Sequence, residues 1–377
     1  MTVSPVTEGA AAQVRGAEEV NPGQLVRHAF VGGYAGTETP SQGVSWAGVD
    51  PDTGALTVLG TLAEVPNPFH LALSEDGSVL YAASNVVEGR VHALKVAEDG
   101  SLSRLGSAAS QGSGTVHLTV HPDGRYLLAA NHDSGTVVVH PVDADGGVGE
   151  VVHSVRHLGA GPDPLAQQGP HPHMVVVDPT GERVLVPDKG TDSVHVHRFD
   201  RESGELTPHS QVHIGSGVGP RHLVFHPSGR FLYLVNELSS TVTVCGYDVA
   251  TGALWTLEST STVPPGTDMW NAASAIRLSA DGQFLYAANR GHESVVTFAV
   301  EDSGRRLRRV TTQRVTEQPG INALPWDLVL DPTDRLMYVV NQLAGAVAAF
   351  RVDRGTGLLE RVGEPVAVPT PACIVLR

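Results

Sequence analysis

Cysteine is nearly absent from this chain: Cys245 and Cys373 are the only two in 377 residues. Each sits in an apolar run that reads as strand, so neither a disulfide framework nor a CxxC metal site is implied. A reducing, cytoplasmic setting is the expectation. Positive charge is also scarce. Lysine and arginine total 25 against 40 acids, a net charge of −15, and only Lys95 and Lys189 are lysines. Nucleic acid and anionic membrane are therefore excluded as partners, because both require a basic footprint. No run reaches the roughly 18 apolar residues of a membrane span. Residues 1–24 lack the apolar stretch of a secretory signal and are expected to be a loosely held extension. Helical periodicity is missing throughout, which leaves strands as the only regular element.

What the chain does hold is turn formers, 42 glycines and 25 prolines, within a core-forming composition that is 41% hydrophobic. They fall into a pattern. An acidic residue, a few turn residues, a glycine and an apolar residue recur as Asp50–Gly54, Glu98–Gly100, Asp143–Gly146, Asp200–Gly204, Asp248–Gly252, Glu301–Gly304 and Asp353–Gly357. Successive glycines lie 46, 46, 58, 48, 52 and 53 residues apart. The acid caps its own turn and the glycine supplies the positive φ, so each copy predicts a hairpin. A second motif alternates with the first: Ser74–Gly77, His121–Gly124, Asp178–Gly181, His226–Gly229, Ser279–Gly282 and Asp331–Asp334. Apolar runs flank each copy. The second run ends on a polar residue, Asn131, Asp188, Asn236, Asn289 or Asn341, and a third, alternating run follows that reads as half-buried.

About four strands per fifty residues is the arithmetic of a propeller blade. The fold predicted is an all-β, seven-bladed propeller spanning 25–377. One motif occurs seven times and the other six, so the last blade is expected to be completed across the termini, with residues 27–34 and 372–377 in one sheet. Such closure removes free sheet edges.

Loops at one end of a propeller channel form its natural ligand site. Four groups stand out there. In Gly169-Pro-His171-Pro-His173, two histidines at i and i+2 point the same way on an extended chain. No third ligand with diagnostic spacing accompanies them, so no metal or other cofactor is expected. Arg221 follows Gly219-Pro220, precedes His222, and leads into a buried run. Glu237, after Asn236 at the end of an apolar strand, needs a partner, and Arg221 could supply it. Arg290, followed by Gly291-His292, repeats that strand-end position one blade later. Lys189 occupies it in Asp188-Lys189-Gly190. Such a local basic pocket in an acidic protein suits a small anionic ligand.

Residues 169–200, 219–244 and 289–300 resemble the lactonase family of seven-bladed propellers. The blocks GPRH, VNELSSTV and NRGH carry the likeness, which runs from about residue 28 to the C-terminus. That family includes the propeller-type 6-phosphogluconolactonase and the fungal-type 3-carboxy-cis,cis-muconate lactonizing enzyme. The resemblance implies His173, Arg221, Glu237 and Arg290 as catalytic residues, and so selects His173 over His171. His171, Lys189, His222, Asn236 and His292 are then expected to bind substrate. The sequence departs from the family pattern at Ser84-Asn85, Lys189 and Arg277, which implies an altered and more basic pocket. Three functions follow as expectations: hydrolysis of a small anionic lactone, muconate-type lactonization of a carboxylate substrate by the same groups, or a non-catalytic scaffold. A monomer or weak homodimer is expected.

Overall fold

A computed structural model describes residues 28–36, 41–316 and 322–377; the extension expected over 1–24, and Arg27, lie outside the described residues. Seven four-stranded antiparallel sheets are arranged around a channel. Numbered in chain order, blades 1 to 6 span 68–109, 115–156, 176–213, 220–261, 272–314 and 325–367. The seventh joins the termini: Pro371–Leu376 is its innermost strand, paired with His28–Gly33, and Gln42–Val49 and Leu56–Pro66 lie outside. The closure expected from the motif count is thus present.

The acid-to-glycine motif joins the third strand of each blade to the outermost one, and all seven of its glycines have positive φ. It has a second use. The glycine carbonyl accepts a tyrosine hydroxyl from the preceding blade: Tyr81 to Gly146 at 3.0 Å, Tyr233 to Gly304 at 2.9 Å and Tyr338 to Gly54 at 2.8 Å. The repeat therefore makes a turn and also binds blade to blade.

Seven apolar clusters fill the spaces between adjacent blades. The third strand, expected to be half-buried, is instead buried: six of the seven residues of Thr241–Tyr247 are buried. The reason is that neighbouring blades cover both of its faces. The half-exposed pattern belongs to the outermost strand, as in Leu254–Ser261. Cys245 and Cys373 are buried free thiols within these cores.

Innermost strands start at the channel end that the second strands reach, so the strand starts and the strand-end polar residues share one mouth. The motifs at Ser74–Gly77, His121–Gly124 and their counterparts lie at the opposite end. In blade 3 the innermost strand shrinks to Val176–Val177. A single bridge, Pro172 to Asp188, holds the segment before it.

Phe30 is fully buried in the cluster that seals the seventh blade onto the first. Phe30→Ala is expected to cost about 3–5 kcal/mol. Urea unfolding should show this as a lower midpoint with an unchanged slope.

A candidate active site at the channel mouth

Glu237 is the centre of the mouth. It follows the buried strand Phe231–Asn236, which delivers its side chain where blades 3, 4 and 5 meet. Its Oε2 lies 3.0 Å from Arg221 Nε and 3.0 Å from an Arg290 guanidinium nitrogen. Its Oε1 lies 3.3 Å from Lys189 Nζ. Burial pushes the Glu237 carboxyl upward, but Arg290, Lys189 and Arg221 outweigh it and hold the group far below the usual carboxylate range. Burial, with Arg290 close by, brings Arg221 down to about 9, which leaves it protonated at neutral pH.

Both arginines are aimed by the backbone. Arg221 donates to Ser274 O at 2.6 Å, and Arg290 donates to Ala272 O and Ala273 O. The Arg290 guanidinium also lies over the Trp326 ring, 4.8 Å from its centroid, which is cation–π geometry.

His173 is buried beside this cluster, with its ring 5.2 Å from that of His222 and 5.6 Å from that of His132. Burial, then Arg221, hold it well below the usual imidazole range, so it is neutral. Its Nδ1 is buried without a hydrogen-bond partner. Such a group is costly to leave unpaired.

His171 stacks on His132 at 4.3 Å and belongs to the same wall. Lys189 forms a one-turn 3-10 helix with Gly190 and Thr191, capped by the Asp188 side chain. Gly190 must be glycine, since a Cβ there would stand 1.9 Å from Gly169 O. His222 sits deeper in the channel, against His117. Two expected residues are not brought to the cluster. Asn236 is fully buried and donates to Thr241 and Thr243 within its own blade. His292 bonds Ser294 Oγ and lies near Arg314 and Arg309 of the outermost strand.

The structure adds an aromatic wall that the motifs did not reveal. Tyr34, Phe69 and Trp326 pack ring against ring, with centroid distances of 5.3, 5.9 and 6.5 Å, and Phe69 reaches the His173 ring at 6.4 Å. The signal was present: Pro68-Phe69-His70 and Pro325-Trp326-Asp327 occupy the strand start held elsewhere by Pro220-Arg221-His222. Beneath the mouth, Arg277 pairs with Asp327 at 3.0 Å, among His70, His117 and His222.

His157, Asp188 and His195 are the one group among the described residues placed to surround a metal ion. The Asp188 oxygens are already taken, however. Oδ1 accepts the N–H groups of His171, Gly190 and Thr191, and Oδ2 lies 2.7 Å from His157 Nδ1. The arrangement fits a hydrogen-bonded strut under the Lys189 turn.

The chain matches the family described as lactonase, seven-bladed β-propeller, over residues 28–376. It is 31% identical over 346 residues to a 6-phosphogluconolactonase of Bacillus subtilis, covering 91% of this chain and 97% of that protein. The solved structure of a periplasmic gluconolactonase of Pseudomonas aeruginosa superposes with a TM-score of 0.86 at 30% identity, covering 93% of this chain and 99% of the other. A putative 6-phosphogluconolactonase of Bacteroides fragilis gives 0.84 at 27% identity, covering 94% and 98%.

Buried imidazoles held below their ordinary value include His70, His92, His117, His140, His173, His195, His197 and His222. In the unfolded chain each binds a proton near pH 6.5. As pH falls below that value the unfolded state takes up protons that the folded state refuses. Stability present above pH 6.5 is then lost by up to about 1.4 kcal/mol per pH unit per group. Thermal denaturation should show a steady Tm above pH 7 and a steep fall below about pH 6.

Proposed function

Given that the chain belongs to the family of seven-bladed β-propeller lactonases, we propose that it hydrolyses a small anionic lactone of the 6-phosphogluconolactone kind at the channel mouth. The observation that carries this reading is the convergence of Arg221, Arg290 and Lys189 on the single carboxylate of Glu237. Three positive charges against one make the mouth of an acidic protein locally cationic, and a cationic cleft concentrates anions. An arriving phosphate or carboxylate takes over one guanidinium as a two-pronged partner. The aromatic wall of Tyr34, Phe69 and Trp326 receives the C–H face of the ring.

In the hydrolytic step, water oxygen bonds to the ring carbonyl carbon and its proton passes to His173. A guanidinium donates to the oxyanion that forms. The ring C–O bond then breaks, and the departing alkoxide takes the proton to give a hydroxy acid. His173 suits the base role because it is neutral and lies beside Arg221. A bound anion offsets the nearby cations and so raises its basicity. Glu237 is the weaker choice, since three cations must let go before it can accept a proton. Its part is to hold the arginines apart and aligned. The opposite end of the ring consists of polar hairpin turns, which supports an enzyme over a docking scaffold.

The test offers 6-phosphogluconolactone, uncharged gluconolactone and a muconate-type diacid to the purified protein. The phosphorylated lactone should open fastest, with a lower KM than the uncharged one. Arg221→Ala should lower kcat/KM by about 10²–10³-fold, and Glu237→Gln should lower it while the fold is kept. No opening of either lactone above its spontaneous rate would sink the reading.

A further inference from the structure

Four residues beyond the polar strand-end position, five blades place a residue with left-handed backbone: Gly135, Asp192, Ser240, Glu293 and Gly345, with φ between 52° and 70°. Glycine adopts this conformation freely, whereas L side chains rarely do. Blades 2 and 6 use glycine. Blades 3, 4 and 5, whose strand ends carry Lys189, Glu237 and Arg290, do not. In all five the residue's carbonyl accepts an N–H from the end of its own outermost strand, so the backbone duty is the same. The side chain in the three site blades therefore does something that glycine cannot.

In each case it grips the loop that enters the next blade. Asp192 Oδ2 accepts Gly217 N–H at 2.6 Å, and its Oδ1 accepts Gly219 N–H at 2.8 Å and Gln167 Nε2 at 2.7 Å. Ser240 Oγ donates to Asn271 O at 3.0 Å and accepts from Asn271 Nδ2 at 2.8 Å. Glu293 Oε2 accepts Leu324 N–H at 2.6 Å, two residues before Trp326, and its Oε1 accepts Gly291 N–H, next to Arg290. All three are buried, at 2%, 7% and 3% exposure.

The Asp192 grip reaches furthest. Gly219, whose N–H it holds, has a φ of 62° and accepts Glu237 N–H at its carbonyl, 2.7 Å away. Gly219 leads directly through Pro220 into Arg221. One buried carboxylate thus fixes the backbone of both members of the central ion pair. Through Gln167, which also donates to Lys189 O at 2.7 Å, it is tied to the third. Strained backbone retained with a dedicated side-chain function is the mark of a working position.

We infer that Asp192 is a positioning residue: its carboxylate clamps blade 3 to the Gly217–Gly219 loop and so sets Arg221, Glu237 and Lys189 in register for an anionic substrate. Ser240 and Glu293 perform the same clamping at the next two blade junctions. The identity of the ligand rests on the proposed site, and the clamp on the hydrogen bonds of Asp192.

The informative variant is Asp192→Gly, because glycine is what blades 2 and 6 place there and the backbone strain is relieved. Asp192→Asn keeps one acceptor oxygen. Binding of inorganic phosphate is measured by calorimetry on the full chain, alongside Tm and turnover of the phosphorylated lactone. Asp192→Gly should keep a Tm within about 5 °C of the wild type while phosphate affinity falls at least about tenfold, a loss of about 1.4 kcal/mol. Turnover should fall in parallel, and Asp192→Asn should lie between. Wild-type binding and turnover in Asp192→Gly overturn the clamp, as does a loss of binding seen only with loss of the cooperative thermal transition. If the wild type binds phosphate but opens no lactone, the proposed reaction falls and the phosphate arm still judges the clamp. Wild-type protein that binds no phosphate overturns both.

Discussion

A propeller blade has two apolar faces and cannot cover either one by itself. Everything else in this molecule follows from that constraint. Each of the seven cores is shared between two blades, and the ring is complete only when the strand Pro371–Leu376 lies beside His28–Gly33. Because both faces of a blade are buried, its polar residues collect at the strand ends. Two hairpin turns of a blade lie at one end of the channel, and the other end holds its third hairpin turn together with the loops that pass between blades.

At that end the governing quantity is charge. Removing a carboxylate from water is expensive unless it is paired, and Glu237 is paired three times over. The pairing holds the carboxylate ionised, holds the arginines apart, and leaves more positive charge than one carboxylate can balance. His173 is kept neutral by burial and by the same arginine. The net charge of −15 is the background against which this small cationic cluster stands.

The fold was legible because the turn motifs recur with their glycines at regular spacing, and positive φ at those glycines is what a hairpin needs. Burial of the third strand was not, because alternation in one strand does not report that a neighbouring blade covers the second face. In the site, Arg221, Glu237, Arg290 and Lys189 were visible as charged residues at the starts and ends of apolar strands, whereas the choice of His173 over His171 came from the family resemblance. Phe69 and Trp326 were hidden because aromatic residues at strand starts look like core, and Tyr34, just past the end of His28–Gly33, carries no charge to mark it. Asn236 looked like a ligand group because it neighbours Glu237, yet strand alternation turns its side chain into the blade. The clamp of Asp192 was beyond reach of the sequence. Its meaning lies in a backbone angle and in two glycine N–H groups from another loop.

The closing strand also has a bearing on how the protein is made. Cys373 meets the carbonyl of Pro68 across 305 residues of chain. A ribosome delivers the N-terminal part of a protein first. The three outer strands of the seventh blade therefore emerge early and must wait, without their innermost partner, while six blades are synthesised. During that interval the edge of His28–Gly33 is open to pairing with another chain. Only arrival of the last strand removes that edge.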